Sequence, residues 1–152
     1  MSLWGVSSGL AWCAVSDDFA QTFRAAIDAF NAGDLDGLLT RYHRDVYFED
    51  PIQRVYGLDA FAEVNRRMFR KLRGLKITLH EIIADDAQFF ASWSMRFSLP
   101  VGPTITIEGA THGKLRDGKV IFHRDYWDML SSLLETSPLL GVAYRAVATT
   151  LG

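Results

Sequence analysis

Apolar residues in the first half of the chain recur at intervals of three and four, the period of one helical face. A first helix is predicted from Ser16, a candidate N-cap, to a stop at 31–33 (Asn-Ala-Gly). A short second helix follows the N-cap candidate Asp34, and a third opens at Gly57. The apolar stripes of these helices are Phe19, Phe23, Ile27 and Phe30, then Leu35, Leu38 and Leu39, and finally Phe61, Val64, Met68, Phe69 and Leu72.

Alternating apolar and polar residues predict strands in most of the remaining chain. Residues 46–50 form a short alternating stretch that ends at Pro51, with 53–56 as its hairpin partner. After Gly74 four β-type segments follow one another, and the last two are joined by the Asp-Gly pair at 117–118, a strong hairpin signal. These four segments cover residues 75–84, 88–99, 104–115 and 119–129.

Helices first and a long antiparallel run of strands afterwards indicate an α+β domain. We expect a curved antiparallel sheet with helices packed on its concave face, an arrangement that leaves a cone-shaped cavity. The domain is predicted to span residues 16–130, with an N-terminal leader at 1–15 and a C-terminal helical extension at 131–152. No apolar run reaches the roughly 18 residues that a membrane-spanning helix requires.

The composition is that of an ordinary globular domain, with 49% hydrophobic and 22% charged residues among 152. The formal net charge of -2 gives no indication of a nucleic-acid or membrane partner. Basic residues gather between Arg66 and Arg73, which we interpret as the solvated face of the third helix rather than a phosphate-binding patch. The single cysteine, Cys13, excludes an intramolecular disulfide and fits a cytoplasmic protein.

Three polar residues are candidates for chemistry: Asp50 at the end of the first strand, and His123 and Asp125 on the last one. Strand side chains alternate between faces, so His123, Asp125 and Trp127 share one face. Burying such groups is costly unless they pair. Two interpretations stay open: a hydrogen-bonded brace, or a group that exchanges a proton with a ligand. A metal site from the same three residues is not favoured, and no Gly-rich loop, GxSxG, HExxH or paired CxxC motif indicates a cofactor.

Three motifs are similar to those of a known superfamily. They are Asn-Ala-Gly-Asp-Leu-Asp-Gly at 31–37, Phe-Glu-Asp-Pro at 48–51 and His-Arg-Asp-Tyr-Trp-Asp at 123–128. They resemble ketosteroid isomerases and, more broadly, the nuclear transport factor 2-like or SnoaL-like superfamily, over about residues 17–129. The resemblance implies the same cone-shaped fold with a small-molecule pocket, but it does not single out one activity.

The resemblance places the general base of ketosteroid isomerases at Asp50. The oxyanion-binding tyrosine of that family would fall at Ala26, and its second donor, a protonated aspartic acid, approximately at Thr111. Because both donors are missing, classical ketosteroid isomerase activity is not expected. Limonene epoxide hydrolases of the superfamily use an Asp-Arg-Asp set. Arg96 would complete such a set with Asp50 and Asp125 only if it faced the cavity, and its strand phase favours the outer face.

The leading hypothesis is an enzyme of proton-transfer type (isomerase, cyclase, dehydratase or hydrolase) that acts on an apolar small molecule. Asp50 is the predicted base, His123 the acid or second base, and Asp125 the group that orients the histidine, with no metal or organic cofactor required. The alternative is a non-catalytic ligand-binding or dimerisation module. A homodimer through the outer sheet face is expected in either case. The predicted substrate contacts are Phe48, Tyr56, Met95, Phe97, Thr111 and Trp127.

Overall fold

The computed structural model describes residues 17–128 together with Leu134 and Val142. The predicted leader at 1–15 lies outside the described residues, as does the predicted C-terminal extension apart from Leu134 and Val142. The helices within 17–128 are α1 (Asp17–Asn31), α2 (Leu35–Leu39) and α3 (Leu58–Lys71). The strands are β1 (Tyr42–Asp50), β2 (Gln53–Tyr56), β3 (Arg73–Ala84), β4 (Gln88–Ser98), β5 (Thr104–Arg116) and β6 (Lys119–Trp127).

Helix α1 ends where the sequence predicts, and one side chain joins this end to the sheet. Asn31 Nδ2 donates to the Ile77 carbonyl at 2.7 Å, and Asn31 Oδ1 accepts from the Ile77 amide at 2.8 Å. Gly33 then takes a positive φ of 86°, and Asp34 caps α2 by accepting a hydrogen bond from the Gly37 amide at 2.9 Å. These bonds hold α1 against strand β3.

The six strands lie in the order β2-β1-β6-β5-β4-β3. Neighbouring strands are antiparallel, as predicted, except β1 and β6, which run parallel. The sheet is therefore mostly antiparallel. The parallel pair was not predicted, because turn signals report only on strands that are neighbours in sequence. The turn at 117–118 between β5 and β6 has φ values of 52° and 70°, the positive values that the predicted Asp-Gly hairpin requires.

The apolar core lies between the concave face of the sheet and the helices. Phe19 and Phe23 of α1 pack on Phe89 of β4, with ring centroids 5.1 and 5.0 Å apart. Two glycines on the inner face of β5 leave room for neighbouring rings. A Cβ at Gly113 would overlap the ring of Phe89, and a Cβ at Gly109 would overlap the ring of Trp93. The glycines thus let β4 aromatic rings lie directly over the β5 backbone.

Candidate functional site

A cavity of roughly 540 Å³ lies between the concave face of the sheet and the helices. This volume is in the range of small-molecule sites, and the walls are mostly apolar. Helices α1 and α3 supply one wall, and the inner faces of the strands supply the other. The lining includes the three predicted catalytic residues and five of the six predicted substrate contacts, namely Asp50, His123, Asp125, Phe48, Met95, Phe97, Thr111 and Trp127.

A chain of four hydrogen bonds runs along the sheet wall of the cavity. Trp93 Nε1 donates to Thr111 Oγ1 at 2.8 Å, and Thr111 Oγ1 donates to Asp125 Oδ1 at 2.5 Å. The same Oδ1 lies 2.8 Å from His123 Nε2, and His123 Nδ1 lies 2.9 Å from the Tyr42 hydroxyl. The chain therefore joins β4, β5, β6 and β1. It pairs His123 with Asp125, a contact that is compatible with both sequence-based interpretations.

For a neutral His123, one set of proton positions satisfies every bond in this chain. An ionised Asp125 only accepts, so His123 carries its proton on Nε2 and donates it to Oδ1. Nδ1 of the neutral ring then accepts the Tyr42 hydroxyl proton. Burial, and secondarily the negative charge of Asp125, raise the pKa of the Tyr42 hydroxyl well above its ordinary value of 10.0. Tyr42 is thus a neutral donor that fixes the histidine tautomer.

One carboxylate oxygen of Asp125, Oδ2, is available to a ligand. Oδ1 accepts both protein hydrogen bonds, whereas Oδ2 accepts none from the described residues. The Asp125 side chain is 17% exposed and lines the cavity. Both ring nitrogens of His123, in contrast, are occupied within the protein. The group with free hydrogen-bonding capacity at this point is the carboxylate, not the imidazole.

Asp50 lines the cavity, but its oxygens are used by the β1–β2 turn. Oδ1 accepts the Ile52 and Gln53 amides at 2.8 and 2.9 Å, and Oδ2 accepts Gln53 Nε2 at 3.0 Å. Asp50 forms no hydrogen bond with His123 or Asp125, so the three predicted catalytic residues share the cavity without forming one network. Three of about four acceptor positions on this carboxylate are already filled.

Tyr56 and Arg96 lie away from the cavity. Tyr56 is 75% exposed and packs against Tyr47 with ring centroids 4.7 Å apart, so it does not line the cavity as predicted. The reason is strand phase, since Tyr56 pairs with Tyr47, whereas the next residue of β1, Phe48, points inward. Arg96 is exposed on the outer face of β4 and forms no Asp-Arg-Asp set with the cavity carboxylates.

Several polar residues of the cavity were missed by the sequence interpretation, among them Tyr42 and Asn65. Tyr42 lies four residues before the predicted start of the first strand, and the exposed Arg44 between it and Val46 hides the alternation that would have included it. Asn65 on α3 is only 4% exposed and lines the cavity. Asn65 Nδ2 donates to the Phe61 carbonyl at 2.8 Å, which leaves its second N–H without a partner among the described residues. A polar residue within an apolar helix stripe was the available signal.

The family model of the SnoaL-like domain matches residues 23–123, about two thirds of the chain. The chain therefore belongs to the SnoaL-like domain family, as the motifs at 31–37, 48–51 and 123–128 indicated. No curated protein matches the sequence significantly.

Solved structures with the same fold come from several bacteria. An NTF2-like protein of unknown function from Burkholderia pseudomallei K96243 has 18% identity and a TM-score of 0.69, covering 80% of this chain and 98% of that one. A candidate SnoaL-like polyketide cyclase from Jannaschia sp. CCS1 has 17% identity and a TM-score of 0.70, with 82% and 95% covered. An LEH-like epoxide hydrolase of M. tuberculosis has 20% identity and a TM-score of 0.65, with 86% and 94% covered. At these identities the likeness establishes the NTF2-like fold.

Membrane-spanning helices and clustered metal ligands are both missing from the described part of the chain. No helix among the described residues is long and apolar enough to cross a membrane. Within the same residues, no three histidine, cysteine or acidic side chains are grouped closely enough to hold a metal ion.

Proposed function

We propose that this chain is an enzyme that transfers protons on an apolar small molecule bound in the cavity, with Asp125 as the catalytic base. The observation that carries the proposal is the asymmetry of the Asp125 carboxylate. Thr111 and His123 both bind Oδ1, and Oδ2 is left for a ligand. General base catalysis of this kind contributes about 10²- to 10⁴-fold to a rate.

His123, Thr111 and Tyr42 act as positioning residues in this proposal. Tyr42 holds the His123 ring in the tautomer that donates to Asp125, and two donors on Oδ1 hold the carboxylate plane fixed. A fixed base needs no reorganisation when the substrate arrives, which is the advantage of a preorganised site. In this proposal His123 orients Asp125, whereas the sequence-based hypothesis has Asp125 orient His123.

The proton balance of the proposed reaction is simple. Asp125 Oδ2 takes a proton from a carbon next to a substrate carbonyl, and the carbon electron pair moves onto the carbonyl oxygen as an enolate. Return of the proton to another carbon gives an isomer. In a cyclisation, the enolate carbon instead attacks a second carbonyl carbon of the same molecule, the electron pair of that C=O bond moves to its oxygen, and this oxygen takes the proton held by Asp125. The free N–H of Asn65 is the donor that we assign to the enolate oxygen. Ala26 has no donor, and the Thr111 hydroxyl already donates to Asp125.

Exchange of α-protons in a simple apolar ketone tests the proposal. 2-Tetralone in D₂O, followed by ¹H NMR, reports proton abstraction without knowledge of the natural substrate. We expect enzyme-dependent exchange that Asp125→Asn lowers about 100-fold or more, while Asp50→Asn keeps most of it. If Asp50→Asn abolishes exchange and Asp125→Asn retains all of it, the catalytic base is Asp50 and the proposal for Asp125 is wrong.

A non-catalytic ligand carrier is the second candidate, and a specific observation favours it. Both ring nitrogens of His123 and three of about four acceptor positions of Asp50 are filled within the protein, as expected of a buried polar brace. For a carrier, 2-tetralone would raise the melting temperature of the protein and undergo no exchange above the background. Binding and exchange, measured on one sample, separate the two candidates.

The proposal includes a homodimer formed through the outer face of the sheet. A row of rings crosses this face, with centroid separations of 4.7 Å for Tyr56–Tyr47, 5.6 Å for Tyr47–Phe122, 5.6 Å for Phe122–His112 and 4.5 Å for His112–Phe90. Phe90 at the end of the row is 52% exposed. We name these five residues the outer aromatic row. An exposed apolar surface of this kind is typical of an interface, and a second copy of the chain would cover it.

A further inference from the structure

The basic residues of α3 do not all point to solvent. Arg70 pairs with Glu63 at 2.6 Å away from the cavity, whereas Arg67 and Lys71, one helical turn apart, line the cavity at its rim. Both rim residues are exposed, as are two other residues of the cavity lining, Ile52 and Leu99. The basic run that the sequence presents as one solvated face is therefore divided between solvent and the cavity entrance.

Neither rim cation forms a direct ion pair with a carboxylate, although the pKa of Glu63 is lowered by its hydrogen bond to Arg70 and, as the smallest contribution, by the charge of Arg67. Arg67 Nη2 donates to the neutral Gln53 Oε1 at 3.0 Å, and neither Arg67 nor Lys71 forms an ion pair with another described residue. Gln53 in turn donates to Asp50, the one carboxylate at the rim among the described residues, whose oxygens already accept three N–H groups. The rim thus holds two cations and one carboxylate, and three of the acceptor positions of that carboxylate are filled by protein N–H groups.

We infer that the substrate of this site carries a carboxylate, which Arg67 and Lys71 hold at the rim while the apolar part of the molecule enters the cavity. The inference rests on the proposed function, because it needs a ligand in the cavity. The charges favour one orientation of the bound substrate, because the carboxylate of Asp125 inside the cavity repels an anion and the rim cations attract it. Arg67 offers a planar set of donors that suits a carboxylate, and Lys71 adds a second charge.

The test compares two ligands that differ only at the charged group. 2-Naphthoate and 2-naphthamide share an apolar ring system and a planar substituent, and isothermal titration calorimetry gives the affinity of each. We expect 2-naphthoate to bind the unaltered protein about tenfold more tightly than 2-naphthamide, near the lower end of the effect of a hydrogen bond to a charged group. Because the rim is exposed to solvent, 0.5 M NaCl should lower the affinity for 2-naphthoate and leave the affinity for 2-naphthamide unchanged.

A double variant and a matched control locate the effect. Arg67→Gln with Lys71→Gln should remove the preference for 2-naphthoate and leave the affinity for 2-naphthamide unchanged. Arg66→Gln with Arg73→Gln removes the same charge from exposed positions that do not line the cavity, and both ligands should bind this control as they bind the unaltered protein.

The remaining outcomes separate two failures. Equal affinity for the two ligands in the unaltered protein, or an equal loss of both in the rim variant, overturns the carboxylate inference and leaves the apolar cavity site standing. If neither ligand binds, the proposed ligand site in the cavity is wrong, and the carboxylate inference, which depends on it, is wrong as well.

Discussion

The Tyr42 hydroxyl lies 2.9 Å from Nδ1 of His123, although the two residues are 81 positions apart in the sequence. The contact exists because the strands that carry them, β1 and β6, run side by side in parallel. It fixes which nitrogen of His123 faces Asp125, and so it connects the first strand of the sheet to the proposed base on the last strand.

Tyr42→Phe should lower the free energy of unfolding by about 1–3 kcal/mol, because His123 Nδ1 loses its donor in a buried site. The raised pKa of Tyr42 has a second consequence. Its contribution to stability is complete below pH 10.0, the ordinary value, and is lost as the pH rises toward the higher folded-state value. Urea unfolding between pH 8 and 11 should therefore fall less steeply with pH in Tyr42→Phe than in the unaltered protein. Tyr56→Phe, at an exposed outer position, is the control.

Asp50→Ala should act on the β1–β2 turn more than on proton transfer. The variant leaves the Ile52 and Gln53 amides without their acceptor, and we expect a loss of about 1 kcal/mol in unfolding free energy. Exchange of 2-tetralone at saturating ligand should stay within a few-fold of the unaltered rate. A rate that falls to the background while the fold is intact by circular dichroism would contradict a purely structural role for Asp50.

Gly109→Ala should disturb the cavity, because Gly109 lies on the inner face of β5 under the Trp93 ring. The new Cβ would overlap the Trp93 ring, and displacement of that ring costs about 1–3 kcal/mol, as overpacking of a core does. Trp93 would also lose its hydrogen bond to Thr111, so the fluorescence of the protein and its exchange rate should change together. Ala110→Val, one residue along β5 on the exposed outer face, should change neither.

His112 should make the protein sensitive to acid. Burial of the imidazole, with a smaller contribution from the Lys114 charge, lowers the pKa of His112 from its ordinary value of 6.5. A lowered pKa contributes stability that is present above pH 6.5 and is lost as the pH falls through the folded-state value. His112→Leu should therefore lose less stability than the unaltered protein when the pH drops from 7 to 5. His80→Gln, at an exposed position, should follow the unaltered curve.

Phe90→Glu should separate the proposed dimer. A charge at the exposed end of the outer aromatic row would be buried without a partner in the interface, which is strongly unfavourable. Analytical ultracentrifugation should then show a monomer where the unaltered protein is a dimer. Thr106→Glu adds the same charge at an exposed position of β5 away from the row and should leave the association unchanged. A monomeric unaltered protein would contradict the dimer proposal itself.

The order of helices and strands could be predicted from the sequence, because periods of 3.6 and 2 are local properties of the chain. The same period placed His123, Asp125 and Trp127 on one face, and all three line the cavity. The Asp-Gly turn and the Asp34 cap were predictable for the same reason: each depends on residues within a few positions of one another.

Only the tertiary structure decided how the polar groups of the cavity are paired. The resemblance to ketosteroid isomerases made Asp50 the predicted base, but the turn after β1 fills three of its about four acceptor positions. Tyr42, the partner of His123, lies on β1, and no sequence signal predicted that β1 is the neighbour of β6. The division of the basic residues of α3 between solvent and the cavity depends on where the helix lies on the sheet. Hydrogen bonds and charge environments are set by residues distant in sequence, whereas alternation along one element determines only which way a side chain points.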